Sequence, residues 1–287
     1  MTASDTAPRP NRPDARVPTR RPCLVAVDVD GTLIGSDHRL AGETVAAVRD
    51  AVAAGIAVVL ASSRPPAALR AFLLELGLTE PASFVSCQGA LVGSYDPAGR
   101  LRVHASRPIR HDVAREAAAL AHRAGASVNW YTGERWLVER VTTGVAWEAS
   151  IVGIEPDVVD GFEGADAPEK LLLIVDDPAD AAPIADRLRA SVSVESSHPR
   201  YLEVTARGID KATGVRVIAD ADGIEPAAVV AIGDGHNDLG LFAYAGLSIA
   251  PANARPAVLA HADFVTASAD DHGVAAALRW LAALPEL

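Results

Sequence analysis

The 287-residue chain has little cysteine, few aromatic residues and no excess of positive charge. Its two cysteines, Cys23 and Cys87, have neither metal-ligand nor redox spacing. Both read as small buried hydrophobes in a reducing compartment, so a disulfide scaffold is excluded. No apolar run reaches about 18 residues, which argues against a membrane span. The formal net charge of −11 argues against a nucleic-acid groove. There is no internal repeat, and the length suffices for two modest cores.

The first 21 residues, "MTASDTAPRPNRPDARVPTRR", offer almost nothing apolar to bury and read as a disordered tail. Arg20 and Arg21 could open a twin-arginine export signal, but the apolar stretch after them is short and runs into Asp28. Without a targeting segment, the expected location is the cytoplasm.

What the chain does have is "CLVAVDVDGTLIGSDHRL", residues 23–40. A Val-rich run that ends in Asp-Gly predicts a buried strand of a parallel sheet, stopped by a turn at Gly31. Asp28 and Asp30 then stand at its carboxyl end, the edge where open α/β sheets bind ligands. A plain turn with a capping Asp28 is the other reading. A calcium-binding EF-hand is not, because its first ligand position would fall on Ala26.

The next segments continue as helix, strand, helix and a third strand: "GETVAAVRDAVAAG", "IAVVLASS", "RPPAALRAFLLELG" and "SFVSCQGALV". From Tyr95 the pattern changes to half-exposed strands with two helices, which predicts an antiparallel α+β insert over residues 95–206. From about Gly208 the first pattern resumes. The expectation is a doubly wound, Rossmann-like α/β core, residues 22–94 and 207–287, interrupted by an α+β cap.

A second stretch, "AVVAIGDGHND", residues 228–238, repeats the first: an apolar strand, then Asp234, then Asn237 and Asp238 where a helix begins. An Asp-Gly turn with an N-cap is the plain alternative. If the two strands are neighbours, their carboxylates need a cation, and oxygen donors favour Mg²⁺ held by Asp28, Asp234 and the Asp30 carbonyl. Ser62 ends the second strand before Ser63 and Arg64 and suits either an anion site or an N-cap. Lys211 stands at a helix start, where the dipole disfavours a cation, so it is either a solvated lysine or one that faces an anion. Two or three carboxylates, a hydroxyl and a lysine together suit phosphoryl transfer: Asp28 attacks phosphorus and Asp30 acts as acid and then base.

The chain resembles the haloacid dehalogenase superfamily of phosphatases, in its Cof-type branch with a class IIB cap. The resemblance spans residues 22–287 and rests on four motifs in order: "DVDGTL", "ASSR", Lys211 in "GIDKATG", and "GDGHND". It implies Asp28 as nucleophile and Asp30 as acid/base, with Ser62 and Lys211 on the phosphate. Arg64, Gly89 and Asn237 would lie around the same phosphate. Asp28, Asp30 and Asp234 would hold Mg²⁺, with Asp238 acting through water. The chain departs from the family pattern at Ser63, at Gln88 before Gly89, and at Ala250-Pro251, where only Asn253 of the usual segment remains.

The expected activity is hydrolysis of a small phosphorylated metabolite, with a sugar phosphate as the leading class. A phosphomutase and a non-enzymatic phosphoacceptor switch are the alternatives. Trp130, Tyr131 and Trp136 of the insert could stack on a sugar or fill the insert's own core. No nucleic-acid or membrane partner is expected, and the oligomeric state is left open.

Overall fold

The computed structural model describes residues 7–13, 15, 17–196 and 198–286. It opens with a two-residue strand, β1 (Arg9–Pro10), followed by β2 (Leu24–Val27), α1 (Gly42–Ala53), β3 (Ala57–Leu60) and α2 (Pro66–Leu76). Next come β4 (Phe84–Ser86), β5 (Leu91–Tyr95) and β6 (Leu101–Ser106). A second group holds α3 (His111–Arg123), β7 (Ser127–Thr132), β8 (Arg135–Val138), α4 (Thr143–Val152) and β9 (Asp157–Val158), then β10 (Lys170–Ile174), α5 (Ala181–Leu188), β11 (Val192–Glu195) and β12 (Tyr201–Ala206). The last group is α6 (Lys211–Ala221), β13 (Val229–Ile232), α7 (Leu239–Tyr244), β14 (Leu247–Pro251), α8 (Pro256–Leu259), β15 (Phe264–Thr266) and α9 (Gly273–Ala282).

The first sheet runs β1-β15-β14-β13-β2-β3, parallel except where β1 meets β15. All four residues of β2 are buried because both faces are covered, and alternation sends them to different layers. Val25 and Val27 pack with Ala47 and Val48 of α1 and Leu278 of α9. Leu24 and Ala26 pack with Val215 and Ala219 of α6 and Leu241 of α7. Each such Val or Leu contributes roughly 1.5–3 kcal/mol by leaving water.

The second sheet runs β11-β12-β10-β7-β8-β9 and is antiparallel apart from the β8–β9 pair. Its period-2 pattern also makes two faces. Trp130, Leu171, Leu173 and Val204 form an apolar layer with α3 and α5, where Trp130 stacks on Phe162 at 4.8 Å. The opposite face carries Asn129, Tyr131, Trp136, Lys170, Leu172 and Glu203, all buried. It meets Ala68, Cys87 and Ala90 of the first unit, and α4 covers part of it.

Three expectations are corrected. Residues 1–21 are not uniformly disordered: Arg9 and Pro10 pair with Val265 and Phe264. Asn11 Nδ2 donates to the Leu259 and Ala262 carbonyls at 2.6 and 3.2 Å, and Arg12 pairs with Asp263. A sheet edge offers unpaired backbone groups to any chain, apolar or not, and tolerates proline. Residues 1–6, 14 and 16 of that expected tail lie outside the described residues. The change of sheet falls after Ser106 rather than at Tyr95, because β6 pairs with β5 in a three-stranded sheet with β4. An Ala61–Val85 bridge attaches that small sheet to the end of β3. The third correction is α4, a further helix where the pattern predicts only two in this insert; Thr142 caps it by accepting from Val145 N, and Gly153 ends it at φ +71°.

Candidate active site

The strand order reverses between β2 and β13: the chain continues from β2 to β3 on one side and from β13 to β14 on the other. Loops splay apart at such a point and leave a crevice. Val27 pairs with Ile232, so Asp28 and Asp234 leave neighbouring strand ends together. Gly31, at φ +77°, makes the turn after Asp30; a Cβ there would lie 2.6 Å from Asp234 Oδ2.

Lys211 comes to the same crevice from the first turn of α6, where Asp210 caps the helix by accepting from Thr213 N at 2.8 Å. Its Nζ donates to Asp28 Oδ1 at 2.6 Å and to Asp238 Oδ1 at 2.7 Å. It is therefore a buried cation facing carboxylates, not a solvated lysine. Burial disfavours its ammonium, but Asp238 and Asp28 outweigh that and raise its pKa above the usual lysine value. Burial raises the Asp28 pKa well above the ordinary carboxylate range, and the Asp238 charge adds to it against the pull of Lys211. Asp234 is raised as well, by burial and then by Asp238, while Thr32 Oγ1 donates to its Oδ1 at 2.9 Å.

One carboxylate oxygen from each of Asp28, Asp234 and Asp238 lies within 4.8 Å of the others. An all-oxygen, anionic donor set whose carboxylates resist ionising together fits a hard divalent cation such as Mg²⁺. Asp238 already accepts from Lys211 through Oδ1 and from Gly235 N through Oδ2 at 2.9 Å, which suits it to act through water.

Asp30 stands apart from this cluster, with 40% of its side chain exposed. Arg64 Nε and Nη2 donate to its two oxygens at 2.8 and 2.7 Å. Arg64 was expected beside a phosphate; here it holds Asp30 and also donates from Nη1 to the Ile151 carbonyl of α4 at 3.3 Å. Ser62 is buried at the end of β3, and its Oγ accepts from Arg64 N at 3.1 Å, fixing the turn into α2. Gly89 has φ +99°, and a Cβ there would lie 1.9 Å from the Asp210 carbonyl, so this turn packs directly against the Lys211 helix. Asn253 Nδ2 donates to the Gly31 carbonyl at 2.8 Å and steadies the first loop.

Asn237, in the turn into α7, donates from Nδ2 to Gln88 Oε1 at 3.2 Å. Gln88 Nε2 donates in turn to Glu203 Oε2 of the second sheet at 2.8 Å. Lys170 Nζ, 3.5 Å from the same carboxylate oxygen, donates to the Ser63 carbonyl at 2.8 Å. The second sheet thus sits directly on the loops that carry Ser62 and Arg64. Thr32, Lys170 and Glu203 were not singled out from the sequence. Lys170 carried a usable signal: it is one of only two lysines, the other being Lys211, and it opens an otherwise apolar strand.

A family description of haloacid dehalogenase-like hydrolases matches residues 25–278. The chain belongs to that family. It is 31% identical to YxeH of Bacillus subtilis (strain 168) over 279 residues, covering 90% of this chain and 97% of that one. Among solved structures, a haloacid dehalogenase-like hydrolase from Bacteroides thetaiotaomicron superposes with a TM-score of 0.79 at 27% identity, covering 89% of this chain and 98% of that chain. The subclass IIB sugar phosphatase BT4131 shares the fold at a TM-score of 0.77 and 22% identity, covering 88% and 96%. The expected α/β core with a parallel sheet and the expected class of enzyme, a haloacid dehalogenase-type phosphatase, both hold. No helix among the described residues is long and apolar enough to cross a membrane.

Proposed function

We propose that this phosphatase hydrolyses a small sugar phosphate with Mg²⁺ as cofactor, through an aspartyl-phosphate on Asp28. The observation that carries this reading is the Lys211 bridge between Asp28 and Asp238, with Asp234 at the neighbouring strand end. Lys211 and the Ser62 loop gather the phosphate oxygens, and Arg64 orients Asp30 at the mouth of the crevice. Asp28 forms a bond to phosphorus as the ester P–O bond breaks, and Asp30 gives its proton to the departing oxygen. Asp30 then takes a proton from the water that attacks the Asp28 phosphoryl group, which restores Asp28 and releases phosphate. Mg²⁺, held by Asp28, Asp234 and the Asp30 carbonyl, would offset the repulsion between carboxylate and phosphate. Family membership sets aside the phosphoacceptor switch.

The test is a phosphate-release screen over sugar phosphates, nucleotides and phosphorylated cofactors, with Mg²⁺ and with excess chelator. The expected result is metal-dependent release that favours sugar phosphates. Full turnover in chelator would overturn the metal assignment, and preference for nucleotides would overturn the substrate class.

A further inference from the structure

At the far end of the Lys211 helix lies a cavity of about 660 Å³ that the reaction proposed above does not use. Its walls are β5 and β6 on one side and the carboxyl-terminal half of α6 on the other. The helix has 11 residues, which sets the cavity about 15 Å from Lys211 along its axis. Val92, Val217 and Ile218 line it and continue the buried cluster around Val85 and Val215. A concave, largely apolar space of this size with a few converging polar groups is the ordinary form of a small-molecule site.

The polar groups converge from β5, β6 and the loop between α2 and β4. Ser94 is buried, and its hydroxyl donates to Glu80 Oε1 at 3.2 Å. With that proton spent, Ser94 accepts from His104 Nε2 at 2.9 Å, which leaves Nδ1 of the neutral imidazole as an acceptor. Glu80 and Asp222 add carboxylates, and among the described lining residues only Ser83 still has a side-chain proton to give. The cavity therefore asks for a ligand rich in donors.

Charge gives the same answer. No lysine or arginine is among the described lining residues. Arg102 reaches Glu80 at 2.9 Å and Asp96 at 3.8 Å, and Asp96 also pairs with Arg100 at 2.9 Å, so these four charges cancel. Arg70 and Arg216 lie over the Tyr95 and Tyr244 rings at 5.7 and 5.0 Å. The Asp222 carboxylate has no partner among the described residues and stands at the end of α6, whose last turn carries Asp220 and no basic residue. A helix carboxyl end carries partial negative charge and favours a cation, which this helix does not itself supply. We propose that the cavity binds a small monoamine with an apolar ring, its ammonium at Asp222 and the last carbonyls of α6, its ring against Val92, Val217 and Ile218. The site is separate from the phosphate crevice, and the inference stands without the phosphatase reading.

The test is isothermal titration calorimetry of the full chain with tryptamine, tryptophol and indole-3-acetate, which share one ring and differ in charge: cation, neutral and anion. Tryptamine is expected to bind saturably below about 10 mM and about three- to fivefold more tightly than tryptophol, with indole-3-acetate weakest. Asp222→Asn should bring tryptamine to the level of tryptophol and leave tryptophol unchanged. Ala221→Trp, at an exposed helix position that lines the cavity, should abolish binding of both. Asp234→Asn, in the crevice, should change neither. No saturable binding of tryptamine, equal binding of tryptamine and indole-3-acetate, or tryptamine binding that survives both Asp222→Asn and Ala221→Trp would overturn the proposal. Loss of tryptamine binding in Asp234→Asn would place the amine in the crevice and overturn it as well.

Discussion

The Lys211 ammonium bridges a carboxylate at the end of β2 and one in the turn that opens α7, 2.6 Å from Asp28 Oδ1 and 2.7 Å from Asp238 Oδ1, with all three groups buried. Removing one member of a buried ionic set leaves the others uncompensated, at a cost of about 3–5 kcal/mol. Lys211→Met is therefore expected to lower the free energy of unfolding by that order, read as a lower urea midpoint at unchanged slope, and to abolish turnover. Added Mg²⁺ should recover part of the stability, because a cation near Asp28 and Asp234 eases the same repulsion. Unchanged stability in Lys211→Met would mean that the bridge contributes nothing to the fold.

The same cluster sets a pH dependence. Burial, and then Asp238, raises Asp28 and Asp234 above the ordinary carboxylate value. Without metal, the folded state then holds more protons than the unfolded chain, so stability falls as pH rises from about 4 through the raised values. Lys211, raised in the folded state, loses its contribution only above about 10.4 and adds no slope near neutrality. A bound cation keeps the carboxylates ionised and removes their slope. The melting-temperature increase on adding Mg²⁺ should thus be larger at about pH 7.5 than at about pH 5. Equal increases at both values in a thermal melt would contradict this.

The site was more legible than the cap. Asp28 and Asp234 each follow a run of apolar residues into a glycine turn, so local sequence alone puts them at strand ends, and the βαβ pattern makes those ends converge. The Arg64–Asp30 pair, 34 positions apart in the chain, and the Gln88–Glu203 contact, 115 positions apart, have no local signature. Nor did β6, whose mostly exposed residues look the same whether the strand pairs with the core or the cap. Helix α4 hid behind Thr143 and Gly144, both poor helix formers; its stability comes from packing and from the Thr142 cap.

The amino-terminal strand is open to a direct check. Asn11 N donates to the Asp263 carbonyl at 2.8 Å, and the Asn11 side chain and Arg12 add contacts to the same edge. These bonds are exposed or half-buried, so deleting residues 1–13 should cost about 1–2 kcal/mol and leave turnover intact. A melting temperature equal to that of the full chain would show that the strand does not hold the edge in solution.

The two aspartates of the first motif should fail in different ways. Asp28 is buried against Lys211, whereas Asp30 is half exposed and clamped by Arg64. On the proposed assignment Asp28 is the nucleophile and cannot be replaced: Asp28→Asn should reduce turnover to background even with an activated aryl phosphate. Asp30→Asn should keep some phosphorylation by an aryl phosphate, whose leaving group needs no proton, and lose far more with a sugar phosphate. Because the proposed assignment gives water activation to the same carboxylate, phosphoenzyme should accumulate in Asp30→Asn and never in Asp28→Asn. Arg64→Ala, which frees Asp30 without removing it, should fall between wild type and Asp30→Asn on the sugar phosphate. Rapid-quench labelling of the three variants separates these roles. Label trapped on Asp28→Asn, or equal losses on both substrates in Asp30→Asn, would show that nucleophile and proton donor are wrongly assigned.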